Sequence, residues 1–106
     1  MKLLSQVAQA VPGFQSTGCS EIRSLVISQN VHGALRLNAE ILHGADDLVS
    51  MEFHDVTDVF LRVTAGPIEL GEFFIAEEDG GYRIWDELKP LRWSCRAITL
   101  TGVRRA

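Results

Sequence analysis

The sequence is poor in the residues that build metal frameworks and disulfide scaffolds. It has only two cysteines, Cys19 and Cys95, in 106 residues, and they do not form a CxxC pair. Two isolated cysteines cannot supply a complete set of metal ligands, and a disulfide framework is not expected from them. We predict that both are buried thiols and that the protein binds no cofactor.

Long apolar runs are also absent from the sequence. No stretch approaches the roughly 20 apolar residues that a transmembrane helix requires. The opening residues, Met1 to Leu4, are followed by Ser5 and Gln6 before an apolar run of signal-peptide length can form. We therefore expect a cytoplasmic protein without membrane contact.

The usual catalytic loops are missing as well. No GxSxG, P-loop or GxGxxG motif occurs, which removes the mechanisms that these loops support. Cys95 alternates with Leu91 and Trp93 on an apolar face, where burial favours the unreactive thiol over the thiolate. Asp55 and Asp58 lie at a break in a strand, where turn and capping roles are common for aspartate. We therefore favour a protein that is not an enzyme.

The composition that remains is typical of one soluble globular domain. Of the 106 residues, 46% are hydrophobic and 23% are charged. A chain of this length can bury a core without disulfides but is too short for two catalytic-size units. We predict a single domain over residues 1–106.

Strand-type patterns dominate the chain. Residues 51–63 are rich in β-branched and aromatic types and alternate between apolar and polar. The strand pattern is interrupted at His54 and Asp55, and we call this interruption the jog. Residues 35–41 alternate most regularly, and residues 21–28 fit a first strand. The alternating apolar positions shift by one residue between Leu70 and Phe73. Gly71 lies at this shift and fits a β-bulge.

Asp79 and Gly80 give a signal for a tight hairpin, because both central residues of a type I′ turn need positive φ. If they form the loop, residue 77 pairs with 82, residue 75 with 84 and residue 74 with 85. This register places apolar residues opposite apolar ones across the ladder.

Only the beginning of the chain has helical periodicity. Leu3, Leu4, Val7 and Val11 are spaced by three and four, and Pro12 and Gly13 end the pattern. We predict a short helix and turn over residues 1–13, followed by a β-domain over residues 21–103. The fold class is therefore mainly β, as an antiparallel β-sandwich or partly open barrel with one short N-terminal helix.

The net charge of −4 conceals an uneven distribution. All but one of the 14 acidic residues lie between Glu40 and Lys89, a span whose basic residues are Arg62, Arg83 and Lys89. Such an acidic middle repels phosphate backbones and favours a basic protein partner.

Acidic residues surround two aromatic ones in and near the predicted hairpin. Aromatic side chains supply buried contact area, and charge steers association, so this composition suits capture of a basic protein. The predicted partner-binding residues are Asp55, Asp58, Glu77, Glu78, Asp79, Tyr82, Trp85, Asp86 and Glu87.

Three other hypotheses are open at this point. A pocket near His43, His54 and Asp55 could bind a small molecule or a metal, and could be enzymatic, although the spacing matches no metal motif and we assign no metal ligands. A purely structural domain would form a homodimer.

Nucleic acid binding would use Trp93 as a stacking platform for bases. Alternation places the Trp93 side chain on the opposite face of the sheet from that of Arg92, and we expect no nucleic acid partner. The arginines considered for it are Arg92, Arg96, Arg104 and Arg105.

The order of strand motifs resembles small β-rich immunity-type and uncharacterised bacterial proteins of polymorphic toxin systems. The likeness rests on residues 49–59, 82–86 and 91–96, with Phe53, Val56 and Val59 in one spaced pattern and Trp93-x-Cys95 in another. The resemblance implies a non-enzymatic protein that binds and blocks a cognate toxin. Combined with the acidic middle of the chain, it leads to the hypothesis of an immunity protein that neutralises a basic toxin through an acidic surface. The resemblance carries over no active-site residues.

Overall fold

The computed structural model describes residues 14–62 and 66–105. The helix predicted within residues 1–13 lies outside these ranges. A 3-10 turn at Ser16–Gly18 precedes the first strand. The described residues form eight strands: β1 (Cys19–Gln29), β2 (Leu35–His43), β3 (Asp47–Leu61), β4 (Ile68–Glu69), β5 (Phe73–Glu78), β6 (Gly81–Asp86), β7 (Leu91–Cys95) and β8 (Ala97–Arg105).

Within the part of the chain that the structure describes, the strands form two antiparallel sheets that share the long strand β3. In the first sheet, β4, β1, β2 and the first half of β3 are neighbours, and β8 pairs with that half of β3 on its other side. In the second sheet, the later half of β3 pairs with β7, followed by β6 and β5. The predicted mainly β, antiparallel fold is confirmed. Among the described residues the path of strands runs from β4 to β5 without closing into a barrel.

Strand β3 changes sheet at the jog that the sequence predicted. Asp55 and Asp58 both have φ of 53°, a left-handed conformation that aspartate tolerates better than β-branched residues do. The β3–β7 register shifts between Thr57 and Phe60, as at a β-bulge. At the same place β7 ends and β8 begins. Arg96 lies between them, and its N–H donates a hydrogen bond to the carbonyl oxygen of His54 over 3.0 Å.

The core lies between the inner faces of the two sheets. Phe53 of the first sheet meets Trp93 of the second edge to face, with ring centroids 5.2 Å apart. The ring centroid of Phe73 lies 6.5 Å from that of Trp93. The alternation predicted for residues 35–41 is confirmed, because Leu37, Ala39 and Ile41 are buried.

The hairpin prediction is confirmed in loop and register. Asp79 and Gly80 connect β5 to β6 with φ of 47° and 79°, the two positive values that the turn requires. The paired residues are Glu77 with Tyr82, Ile75 with Ile84 and Phe74 with Trp85.

The predicted bulge at Gly71 is wrong. Gly71 lies between β4, which pairs with β1 in the first sheet, and β5, which pairs with β6 in the second. The shift in the alternating apolar positions therefore marks the place where the chain crosses from one sheet to the other. A Cβ at Gly71 would lie 2.7 Å from the Cβ of Leu88, so this crossover leaves no room for a side chain.

Candidate functional site

One row of large side chains crosses the outer face of the second sheet. Strand pairing places Phe74 of β5 beside Trp85 of β6, Trp85 beside Arg92 of β7, and Arg92 beside Phe60 of β3. The strand neighbours of Phe74, Trp85 and Arg92 are buried, so alternation directs these three side chains outward. Phe60 pairs with Arg92 and is itself exposed. We call Phe74, Trp85, Arg92 and Phe60 the aromatic–arginine row.

Contacts within and beside the row hold its side chains in place. Phe74 and Trp85 are stacked, with centroids 5.2 Å apart and planes inclined by 22°. The guanidinium of Arg83 lies over the Trp85 ring at 5.2 Å, and that of Arg92 over the Phe60 ring at 5.4 Å. These are distances at which cations are attracted to ring faces. The row is therefore ordered by its own stacking and cation–π contacts, while Phe60 remains 50% exposed.

The acidic tip of the hairpin, Glu77 to Asp79, lies at one end of the same sheet. All three acids are exposed. The tip packs closely against the end of β7, because a Cβ on Gly81 would collide with the carbonyl oxygen of Cys95. A shallow depression here is lined by residues that include Glu78, Asp79 and Arg96.

The two bulge aspartates flank this region. Asp58 is exposed and lines a second depression together with Arg83, Arg92 and Ser94, beside the aromatic–arginine row. Asp55 is exposed where β3 leaves the first sheet. The Trp85 indole N–H donates to Oε1 of Glu87 over 2.8 Å, so Glu87 also borders the row.

Two predicted partner-binding residues have other positions. Tyr82 is half-buried and packs against the core. Asp86 is 7% exposed, and its carboxylate accepts hydrogen bonds from four backbone N–H groups. The donors are Gly71, Glu72, Leu88 and Lys89. Asp86 therefore fixes the crossover and the following turn, and we remove it from the binding surface.

The described residues do not form the predicted pocket near His43, His54 and Asp55. His43 pairs with Asp47, and His54 lies seven residues farther along β3, which separates them by roughly 20 Å at about 3.3 Å per residue. The His43 ring lies 4.8 Å from that of Phe14. His54 Nε2 lies 3.1 Å from Thr99 Oγ1 and 3.2 Å from Glu52 Oε1. Within residues 14–62 and 66–105, no three His, Cys, Asp or Glu side chains are grouped as metal ligands.

Both cysteines are buried, as predicted from the sequence, and neither is oxidised in a disulfide. Burial raises the pKa of Cys19 and of Cys95 to about 12, because a thiolate is poorly solvated in the core. Both thiols therefore stay protonated near neutral pH and are poor nucleophiles.

Trp93 is a core residue and not a platform for bases, because only 1% of it is exposed. Among the arginines considered for nucleic acid, Arg92 covers Phe60, and Arg104 donates to Glu40 over 3.0 Å on the first sheet. The arginines are thus not gathered around Trp93.

Sequence reasoning missed Phe60, Phe74, Arg83 and Arg92 as parts of the site. The Phe74–Trp85 pair followed from the predicted hairpin register. The other half of the row depends on β7 lying between β6 and β3, which no local pattern reveals.

No helix among the described residues is long and apolar enough to cross a membrane. Comparison with models of protein families, with curated proteins and with solved structures finds no match for this chain.

Proposed function

We propose that the chain is a non-enzymatic protein-binding domain, and that it binds through the outer face of its second sheet and the acidic hairpin tip. The observation that carries this proposal is the aromatic–arginine row, which lies beside exposed carboxylates on a single face. Tryptophan and arginine are enriched among the residues that dominate binding energy at protein interfaces.

The contacts that hold the side chains of the row in place favour a protein as the ligand. Trp85 already stacks on Phe74 and contacts Arg83, and Phe60 already lies under Arg92. Side chains that are held before binding lose little conformational entropy when a partner docks. Because Phe74 and Arg83 already contact the Trp85 ring, a base stacking there would compete with these contacts, whereas protein side chains can pack on the exposed part of Phe60.

The charges suggest what the partner presents. Glu78, Asp79 and Asp58 are exposed around the row and suit lysines or arginines on the partner. Arg83 and Arg92 lie nearer the centre and can donate to carboxylates or backbone carbonyls. The complementary surface is therefore a basic rim around an apolar centre that carries hydrogen-bond acceptors.

The resemblance to immunity-type proteins suggests the class of partner. In this proposal the partner is a basic toxin, and the chain, acting in the cytoplasm, neutralises it by covering its basic surface. No chemistry is required of the chain, which agrees with protonated Cys19 and Cys95 thiols.

The proposal can be tested by capturing partners from a lysate of the source cells at low salt and at about 0.5 M salt. At the higher concentration the Debye length falls to a few ångströms, so exposed charges no longer attract one another effectively. We expect a basic protein to be retained at low salt and depleted at high salt. Two outcomes would argue against the proposal: retention of no specific protein, or capture that does not depend on salt.

A further inference from the structure

Strand β1 has one long edge that pairs with no described strand. On one side β2 pairs with β1 along its length, from Cys19 to Gln29. On the other side β4 pairs only with Glu21 and Ile22. Within the described ranges, alternate residues between 23 and 29 therefore direct backbone N–H and C=O groups to this side, where no described strand pairs with them.

The composition of this edge favours pairing. Residues 24–28 read Ser-Leu-Val-Ile-Ser, without the charged residue or proline that commonly protects an exposed edge strand. Val26 is 55% exposed and Ile27 is 43% exposed. An apolar groove lined by Leu25, Ile27 and Ile68 runs beside the strand.

We infer that this edge binds a second copy of the chain, with the two β1 strands antiparallel and a two-fold axis at Val26. The short sequence is self-complementary about that point. Val26 then lies opposite Val26 of the second copy, and Leu25 opposite Ile27. Ser24 lies opposite Ser28, so each apolar residue meets an apolar one and each serine a serine. Such an isologous interface is the commonest arrangement in homodimers.

The length of the edge fits the same axis. Val26 is the midpoint of residues 23–29. The second copy's strand would reach Gln29 opposite Arg23, one residue before the position where β4 begins to pair. Beyond Gln29 the chain turns away, with the Asn30 N–H donating to the Ala34 carbonyl over 2.9 Å. The second copy's strand would therefore stop short of β4 itself, while Gly66, two residues before β4, borders the same groove.

The faces of the strand agree with this pairing. Leu25 and Ile27 lie beside Ala39 and Leu37 of β2, two buried core residues. Leu25 and Ile27 of both copies would therefore join the cores beneath a continuous sheet. The dimer edge and the acidic hairpin lie at opposite ends of the strand order, so this inference does not depend on the proposed function.

The mass of the full chain, measured by sedimentation over a concentration series, tests the inference. We expect a dimer for the natural sequence. Val26→Lys places two ammonium groups opposite each other at the axis and should raise the dimer dissociation constant by at least about tenfold. Val31→Lys is the matched control, because Val31 is 94% exposed in the turn after β1 and should leave the dimer intact.

Cross-linking gives a second, independent measurement. Directly opposite residues of antiparallel strands have Cα atoms about 4.5–5.5 Å apart, within the range that a disulfide spans. Val26→Cys should therefore form a covalent dimer when oxidised with diamide, and Val31→Cys should not. A natural chain that stays monomeric at all concentrations would overturn the inference. A dimer that survives Val26→Lys without cross-linking through Val26→Cys would also overturn it.

Discussion

The Gly71 N–H donates a hydrogen bond to Oδ2 of Asp86 over 2.9 Å, and this contact ties the crossover between the sheets to the end of strand β6. The other carboxylate oxygen of Asp86 accepts from Glu72, Leu88 and Lys89. A single buried side chain thus connects both ends of the β5–β6 hairpin to the chain on either side.

Asp86→Ala should lower the free energy of unfolding by about 2–4 kcal/mol, because several partly buried N–H groups would lose their acceptor. Asp86→Asn should cost less, since one oxygen can still accept the three bonds now made by Oδ1. Urea unfolding measures both changes. Glu87→Ala is the neighbouring control and should change stability by less than about 1 kcal/mol. Equal losses for Asp86→Ala and Glu87→Ala would contradict this role.

Gly81→Ala should destabilise the protein by about 2 kcal/mol or more, because the added Cβ would collide with the backbone oxygen of Cys95. Gly102→Ala is the matched control, since no atom lies within 4 Å of the Cβ it would add. It should be neutral or slightly stabilising. Thermal unfolding of the two variants compares them directly. Similar melting temperatures would show that the hairpin tip does not pack on β7 as described.

The buried thiols predict how stability changes at alkaline pH. The pKa of both cysteines is raised to about 12 in the folded protein, whereas the unfolded thiols titrate near 9. The stabilisation from keeping these thiols neutral is complete below pH 9 and is lost as the pH rises from 9 toward 12. Each thiol should contribute a slope of about 1.4 kcal/mol per pH unit in that interval.

Urea unfolding between pH 8 and 11 measures this slope. The Cys19→Ala and Cys95→Ala double variant should lose stability less steeply with pH than the natural chain does, even though it starts less stable. Parallel curves would mean that the thiols are exposed to solvent in the folded state.

Truncations in the aromatic–arginine row should weaken partner binding without unfolding the chain. Trp85→Ala and Arg92→Ala should each raise the dissociation constant of a captured partner by about tenfold or more, as is usual for anchor residues at interfaces. Arg36→Ala is the matched control, because Arg36 is exposed on the first sheet and pairs there with Glu52 at 3.5 Å. Calorimetric titration gives the constants. If Arg36→Ala weakened binding as much as Arg92→Ala, the site would have been placed on the wrong sheet.

The features that the sequence predicted well are local ones. The Asp79-Gly80 loop determined the hairpin register, and the interruption of the strand pattern near Asp55 located the jog. The roles of Gly71 and Asp86 were missed because they depend on β4 and β5 belonging to different sheets. Asp86 looked like one more surface acid in an acidic segment. Only its position beside four backbone N–H groups distinguishes it from Glu87.

Only part of the candidate site was predicted, because only part of it depends on local sequence. Exposed acids at the hairpin tip follow from composition and turn chemistry. The aromatic–arginine row requires β3, after its bend, to lie beside β7. That pairing joins residues distant in sequence, and alternation within one strand cannot predict it.

The role of the acidic hairpin tip in binding is measured by the affinity of the captured partner for a chain with a changed tip. The test variant combines Glu78→Lys with Asp79→Asn, because asparagine tolerates the positive φ of that turn position. The control combines Glu69→Lys with Asp46→Asn, which changes the net charge equally at two exposed acids outside the proposed surface. We expect at least about a tenfold loss of affinity for the tip variant and little change for the control at low salt. Equal affinities for the two variants would contradict the role of the tip.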